Sequence, residues 1–431
     1  MTPTPTATTQ ADLARIRIDP ATMPLPELAA HRFDPSGGFD IDDVAMLAVV
    51  NNPDLKLARD DLGIARAQAF SAGLLPDPQL AVSTDYPGAA GFSRAFSYGL
   101  SMDVMALVTR NANKRSADAS AAKIDLGLLW QEWQVVAQAK QLFLKAGLQQ
   151  QTLPLLQRQA DLTQLRWTRM SAAQRQGNLT GDTTAAALTA YSDARKQLSD
   201  AQRAAEQTRH DLNALLGLAA DVALPLRQSD SVQPVDNATV DAALADLPKR
   251  RPDLIALQAG YEAQEQKYRA AILNQFPSLS VGFVRARDTS ETYTSGFQIN
   301  LSLPIFNRNR GNVAIESATR QRLHDEYQIR LNQADADVVH LRNDTVLLAQ
   351  QLADANAALP GIEQTARESQ LAYDDHDLAL GSYTDAQTAA LTKRIDILTL
   401  TESLAEARVG LQALLGSAIP DAQIFRSSHE K

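Results

Sequence analysis

The sequence predicts a mainly α-helical fold with a small β part, in which one helix–strand–strand–helix–helix unit occurs twice. Three observations carry that prediction. Apolar residues make up 45% of the 431 positions while aromatics make up only 5%. Such a balance rests on Ala, Leu and Val and suits long packed helices better than an aromatic-rich core. Second, blocks of similar sequence recur at one fixed separation. Third, four short stretches alternate apolar and polar residues with a period of two, the signature of half-buried strands in an otherwise helical text.

The recurring blocks define the organisation. "NPDLKLA" from Asn52 and "RPDLIAL" from Arg251 lie 199 positions apart, as do "PQLAVS" from Pro78 and "PSLSVG" from Pro277. "NALLGLAAD" and "QALLGSAIPD" place Gly217 and Gly416 at the same separation. The expected layout is a flexible N-terminal segment over 1–38, a first repeat over 39–223, a linker over 224–238, a second repeat over 239–416 and a tail over 417–431.

Each element follows from local chemistry. In the first repeat a short helix near Ile41–Val50 precedes one from Pro53 to Gly73. Strands near Gln79–Tyr86 and Ala95–Val104 come next, then helices of about 113–175 and 182–216. The second repeat reads as a helix near Pro252–Gln275, strands near Ser278–Arg287 and Gly296–Leu303, and helices near 312–374 and 383–415. Pro53 and Pro252 suit a first helical turn, where the missing N–H costs nothing. Pro78 and Pro277 stop those helices and start strands. Pro154 and Pro360 fall inside long helical patterns, which they should kink or divide.

The long helices carry a coiled-coil pattern. Leu331, Ala334, Val338, Leu341, Thr345, Leu348, Leu352, Ala355, Leu359 and Ile362 step by three and four without a break, which implies left-handed supercoiled packing. In the first repeat Leu129, Trp133, Val136 and Phe143 fit the same seam, with Lys140 a lapse.

The strands raise the question of what covers them. Phe297, Ile299, Leu301 and Leu303 alternate with Gln298, Asn300 and Ser302. Phe96, Tyr98, Leu100, Met102 and Val104 alternate with Ser97, Gly99, Ser101 and Asp103. Leu80, Val82, Leu279 and Val281 have the same relation to Ser83, Asp85 and Ser280. Segments of eight to ten residues suffice for a tilted membrane-barrel strand. Four strands cannot close a barrel, and an open edge in lipid leaves backbone groups unpaired at several kcal/mol each. Two arrangements remain: a half-buried sheet packed on helices of the same chain, or strands from several chains completing one cylinder.

Other classes are disfavoured. A net charge of −9 without a basic run argues against nucleic-acid binding. No cysteine is available for disulfides, thiolate metal sites or nucleophilic catalysis. His31, His210, His324, His340, His376 and His429 are scattered without ligand spacing, and the methionines are dispersed. No catalytic constellation or cofactor motif stands out, so neither enzyme activity nor a resident metal or cofactor is expected. The N-terminal "MTPTPTATTQ" shows no secretory signal, and no apolar run reaches the roughly 18 residues of a membrane helix.

The quoted blocks resemble the two halves of a TolC-like outer-membrane factor, that is, the outer membrane efflux protein family. The resemblance extends from about Phe39 to Gly416. It is carried by the "PDL" helix starts, the P-x-L-x-V strand starts and the strand exit "LPIFNRNRG". That exit is most similar to the branch found with heavy-metal (cobalt–zinc–cadmium type) RND pumps. The resemblance implies a homotrimer with four strands per chain in a twelve-stranded transmembrane β-barrel, and helices forming an α-barrel across the periplasm. It also implies a periplasmic adaptor and an inner-membrane RND pump as partners, and a passive duct as the function.

On that reading Leu80, Val82, Phe96, Tyr98, Leu100, Leu279, Val281, Phe297, Ile299, Leu301 and Leu303 face lipid. Ser83, Asp85, Ser101, Asp103, Ser280, Gln298, Asn300 and Ser302 line a wet lumen. Asn307–Arg310 are expected to serve turn and helix-cap chemistry. Family members close the periplasmic aperture with helix-hairpin tips, which fall here near "RQGNLTGDTT" and "YDDHDLALGSYTD". Asp374, Asp375, Asp377 and Asp385 are the candidates for a cation-attracting ring, with a solvated hairpin tip as the plain alternative. The glycine of the first tip, Gly177, corresponds to His376 in the second, so the turn glycine is not repeated. A multidrug or organic-solute duct and a soluble coiled-coil scaffold remain the alternative functions.

Overall fold

A computed structural model describes residues 7–13, 15–88, 91–227 and 232–416. The order is α1 (Gln10–Leu13), α2 (Pro26–Ala30), α3 (Ile41–Asn51), α4 (Pro53–Ala72), β1 (Gln79–Asp85), β2 (Ala95–Asp103), α5 (Val104–Arg175) and α6 (Gly181–Leu215). The second repeat follows with α7 (Asn237–Arg250), α8 (Pro252–Leu273), β3 (Ser278–Arg287), β4 (Tyr293–Ser302), α9 (Arg310–Asp374) and α10 (Leu380–Leu415). The repeat is therefore helix–helix–strand–strand–helix–helix, with α7 the counterpart of α3. No helix of the described residues is long and apolar enough to cross a membrane. The chain divides into two compact units, one of residues 57–130 and 251–333 and one of the described residues in 1–56, 131–250 and 334–431.

The first unit holds the sheet. Its four strands form an antiparallel meander in the order β1-β2-β3-β4, so the β2–β3 ladder joins the hairpins of the two repeats. Beneath it, Leu126 of α5 packs on Ile255, Ala256 and Ala259 of α8. The small side chains of α8 let neighbouring groups approach closely. Ser116 Oγ donates to the Ala263 carbonyl at 2.9 Å, and a Cβ at Gly260 would lie 3.0 Å from the Lys123 side chain.

The start of α8 is anchored by charge. Arg251 is 1% exposed and donates to both Asp253 carboxylate oxygens at 3.0 and 2.8 Å. Arg330 Nε adds a third bond at 2.9 Å, and the Arg251 guanidinium sits 4.7 Å from the Trp130 ring centroid. The other repeat solves the same position without charge: Asn52 caps α4 by accepting from Leu55 N–H at 2.9 Å.

The second unit is coiled coil. Ala334, Val338 and Ala355 are buried, and no residue of the seam from Leu331 to Ile362 is exposed. Helices α5 and α9 run unbroken through Pro154 and Pro360, so those prolines do not divide them. Lys140 ceases to be a lapse, because its ammonium lies 3.1 Å from Glu27 and 2.9 Å from Asp42. Burial pulls its pKa down, but the two carboxylates outweigh burial and hold it above the ordinary lysine value.

Two expectations are corrected. The N-terminal segment is not flexible over its described part: Leu13, Ile18, Met23, Leu25 and Leu28 are buried. Its backbone is pinned by Thr8 N–H to the Gly217 carbonyl at 3.0 Å and Phe39 N–H to the Pro225 carbonyl at 2.8 Å. Helix α5 begins at Val104 rather than near 113, because Asp103 ends β2 and caps the helix, accepting from Met105 N–H at 2.8 Å and Ala106 N–H at 3.2 Å. The expected tail over 417–431 lies outside the described residues.

Breaking the α8 anchor should be costly, since a buried guanidinium would lose its counter-charge. Asp253→Asn is expected to lower stability by about 3–5 kcal/mol in denaturant titration. Burial raises the Asp253 pKa, but Arg251 and then Arg330 outweigh it, leaving the folded value below the ordinary 3.8. Its contribution is thus present above the unfolded pKa and is lost as pH falls through the folded one. The variant should show a shallower acid limb than the wild type.

Candidate functional site: an uncovered sheet and two helix-hairpin tips

Register places the side chains of the sheet in rows. Leu80, Leu100, Phe283 and Phe297 are successive cross-strand partners, and Met102, Val281 and Ile299 form a second row. Leu279 pairs with Leu301, and Val82 with Tyr98. Because direct partners share a face, these rows gather ten of the eleven expected lipid-facing residues, Phe96 among them, on one side. Leu303 lies just beyond the end of β4.

That side is bare in the single chain. Phe297 is 92% exposed, Ile299 and Leu80 70%, and Leu301 54%. Ten large hydrophobic side chains of the strands are exposed, from Leu80 to Leu301. At about 1.5–3 kcal/mol for each such side chain buried, leaving them in water would forgo more than about 13 kcal/mol. That is comparable with the net stability of a whole domain.

The opposite face carries the polar rows. Ser83 and Ser97 hydroxyls meet at 2.8 Å, Asn300 Nδ2 donates to Ser280 Oγ at 3.3 Å, and Gln298 Nε2 donates to Asn300 Oδ1 at 3.0 Å. Ser101 and Ser302 lie on this face, paired with Gln79 and Ser278. Asp85 lies at one end of it, and Asp103 lies at the other, where it also serves as the α5 cap. At Gly282 any side chain would collide, since a Cβ would meet the Leu100 carbonyl oxygen at 2.6 Å. Past β4, Arg308 and Asn309 adopt positive φ, and Asn309 Nδ2 donates to the Ala271 carbonyl at 2.8 Å. The exit stretch thus makes a turn into α9.

The hairpin tips belong to the coiled-coil unit. In the first, Gly177 N–H donates to the Gln174 carbonyl and Asn178 N–H to that of Ala173, both at 2.9 Å. In the second, His376 N–H donates to Tyr373 at 3.1 Å and Asp377 N–H to Ala372 at 2.8 Å. These are the same two bonds of a Schellman turn, shifted by one repeat. Its left-handed position is Gly177 at φ 83° and His376 at φ 67°, so the geometry is repeated although the glycine is not.

Asp374, Asp375, Asp377 and Asp385 are all exposed. Asp374, Asp375 and Asp377 surround the turn, with Asp374 accepting from Gln370 at 3.0 Å. Asp385 lies a turn and a half into α10, in an ion pair with Arg166 of α5, so its charge is already countered within the chain. Two further acids, Glu402 and Glu406 of α10, carry no sequence signal that separates them from the other acidic residues. Burial raises the pKa of both, and Glu406 raises that of Glu402 further.

Among the described residues, His31, Asp40 and Asp43 bring three potential metal donors together. Their oxygens are occupied. Arg227 reaches Asp40 at 3.0 Å and Asp43 at 3.4 Å, and the backbone N–H groups of Asp34, Asp40, Asp42 and Asp43 donate to the same carboxylates. The cluster is a capping network that ties the N-terminal segment to α3.

Residues 243–417 match the family described as "Outer membrane efflux protein". The curated "Cobalt-zinc-cadmium resistance protein CzcC" of Cupriavidus metallidurans is 22% identical over 403 residues, covering 88% of this chain and 91% of that protein. Among solved structures, CusC aligns with a TM-score of 0.71 at 18% identity, covering 93% of this chain and 96% of that one. The open-state MtrE outer membrane channel of Neisseria gonorrhoeae gives 0.69 at 19% identity, with coverage of 87% and 88%.

The second repeat thus carries the match to the outer membrane efflux protein family, and the chain as a whole shares the fold of the TolC-like outer-membrane channels. Within that class its curated relative CzcC is a metal-resistance protein.

The tip geometry makes an opposed pair of predictions. A β-carbon in a left-handed turn costs roughly 1 kcal/mol, so His376→Gly should raise thermal stability and Gly177→Ala should lower it by a similar amount. Melting curves of the purified protein would read both.

Proposed function

We propose that the chain is the outer-membrane duct of a tripartite efflux system, assembling as a homotrimer and passively conducting heavy-metal cations. A periplasmic adaptor and an inner-membrane RND pump would deliver the cargo. The supporting observation is the sheet: among the described residues its apolar face stays largely exposed, and β1 and β4 each present an unpaired edge. Lipid covers the face, and the β1 edge of a neighbouring copy satisfies the β4 edge, so that three chains close twelve strands. The Ser, Asn and Gln rows then line water. The metal reading is supported by the similarity to CzcC, and the acids of the second tip would favour cations at an aperture.

Leu301 tests the face directly. Leu301→Arg combined with Phe297→Arg, the latter nearer mid-strand, should abolish assembly in membranes, since a charge at mid-depth costs about 2–4 kcal/mol in each of three copies, whereas solvent-facing positions would tolerate both. The wild type should extract from membranes only with detergent, have the mass of a trimer and conduct ions in a planar bilayer. A water-soluble monomer without conductance overturns the reading. For the cargo, deletion should sensitise cells to divalent metals. Unchanged metal tolerance with new sensitivity to organic toxicants would transfer the assignment to a drug duct.

A further inference from the structure

The apolar face of the sheet carries cations at one end only. Arg285 and Arg287 alternate with Val284 and Ala286 and so project from the same face as Phe283 and Val281. Arg285 lies between its register partners Tyr98 and Ser295, and Arg287 between Phe96 and Tyr293. Arg94, immediately before β2, sits 4.7 Å from the Tyr86 ring centroid beside them. Arg287 is braced by Glu291 at 2.6 Å and by the Tyr293 ring at 5.9 Å, and Glu291 also accepts from Ser93 Oγ at 2.6 Å. Arg285 is exposed and has no ion-pair partner among the described residues.

The other end of the same face bears no charge. Leu279, Leu301, Val281, Ile299 and Met102 occupy it, next to the junctions where β2 and β4 lead into α5 and α9. From Leu279 to Arg287 is about 26 Å along the strand at 3.3 Å per residue, or about 20 Å of height at the roughly 40° tilt of a barrel strand, most of an outer-membrane apolar band. The arginines stand where the turn 288–292 closes the β3–β4 hairpin. Neither α5 nor α9 is long and apolar enough to cross a membrane, so in the duct reading they lie on the periplasmic side and that turn faces the exterior.

We infer that Arg285, Arg287 and Arg94 form a binding site for the phosphorylated headgroups of outer-leaflet glycolipid, on the lipid-facing surface of the sheet. The inference rests on the membrane reading above. Guanidinium forks match phosphate oxygens in geometry and charge. The surrounding Tyr86, Phe96, Tyr98 and Tyr293 supply the amphipathic rings that settle at a membrane interface. Water alone does not account for three cations on a greasy face, whereas an anionic headgroup layer complements them.

The test uses the full chain purified in detergent and lipopolysaccharide as the probe, either with its lipid phosphates intact or phosphatase-treated. Retention is read by native mass spectrometry. Intact lipid should be retained in preference to the dephosphorylated form. Arg285→Gln should weaken it about fivefold and Arg285→Gln/Arg287→Gln about thirtyfold, at about 1 kcal/mol for each arginine near an anionic surface. Arg322→Gln, an equal charge change on α9, should leave retention unchanged.

Equal binding of both lipid forms, or retention by Arg285→Gln equal to wild type, overturns the inference. Full displacement by millimolar inorganic phosphate also overturns it, since the site would then take a free anion. Should the double variant fail to assemble, the single Arg285 variant decides, because its side chain braces nothing in the sheet. Conductance of each preparation separates the two levels: a conducting assembly without phosphate preference rejects the lipid site alone, whereas a non-conducting soluble chain rejects the duct itself.

Discussion

The structure turns on the backbone hydrogen-bonding demand of four β-strands. The strands are joined by β1–β2, β2–β3 and β3–β4 pairing, while the outer edges of β1 and β4 have no partner strand among the described residues. In water such an edge invites aggregation, and in lipid it is prohibitive unless closed. The bare apolar rows make the same demand through a different force. On the duct reading proposed above, one strand set takes both a surrounding solvent of low polarity and further copies of itself. Duplication meets that demand economically, because the β2–β3 ladder turns two hairpins into one continuous sheet.

Duplication also shows how loosely chemistry is tied to geometry. Gly217 and Gly416 both end a helix in the left-handed region. Each presses on the residue that closes the first helix of its repeat, the Asn51 carbonyl in one case and the Arg250 carbonyl in the other. A side chain at Gly217 would collide with the Asn51 carbonyl, and one at Gly416 would be squeezed at 3.3 Å from the Arg250 carbonyl as well as strained by the positive φ. At the hairpin tips the same turn is open to solvent, so His376 is tolerated where Gly177 stands in the other copy. At the helix starts, Asn52 and the Arg251–Asp253–Arg330 network occupy equivalent places by unrelated means. Steric contact preserves residue identity between copies, and exposure or an available partner releases it.

Much of this was legible along the chain. The strict alternation at 297–303, the common spacing of the repeated blocks and the three-four stepping from Leu331 to Ile362 each reflect a period set by local geometry, and the corresponding strands and helices lie where the periods place them. The exceptions share a cause. Lys140 looked like a fault because Glu27 and Asp42 are more than 90 positions away. The segment before Phe39 looked flexible because its polar and apolar residues show no period; its order comes from pairing with residues near 217 and 225. The onset of α5 was hidden because Val104 continues the strand alternation while Asp103 already caps the helix.

The sequence by itself determined the periodicities: the number of strands, the face each residue takes, the helical seams and the resemblance these motifs carry. Only the tertiary structure decided which charges are countered, as for Asp385 by Arg166 and Asp40 by Arg227, and that most of the greasy side of the sheet stays exposed among the described residues. The division has a simple origin. Alternation and heptad spacing are imposed within a few residues by backbone geometry, whereas ion pairing and coverage depend on groups brought together from distant parts of the chain.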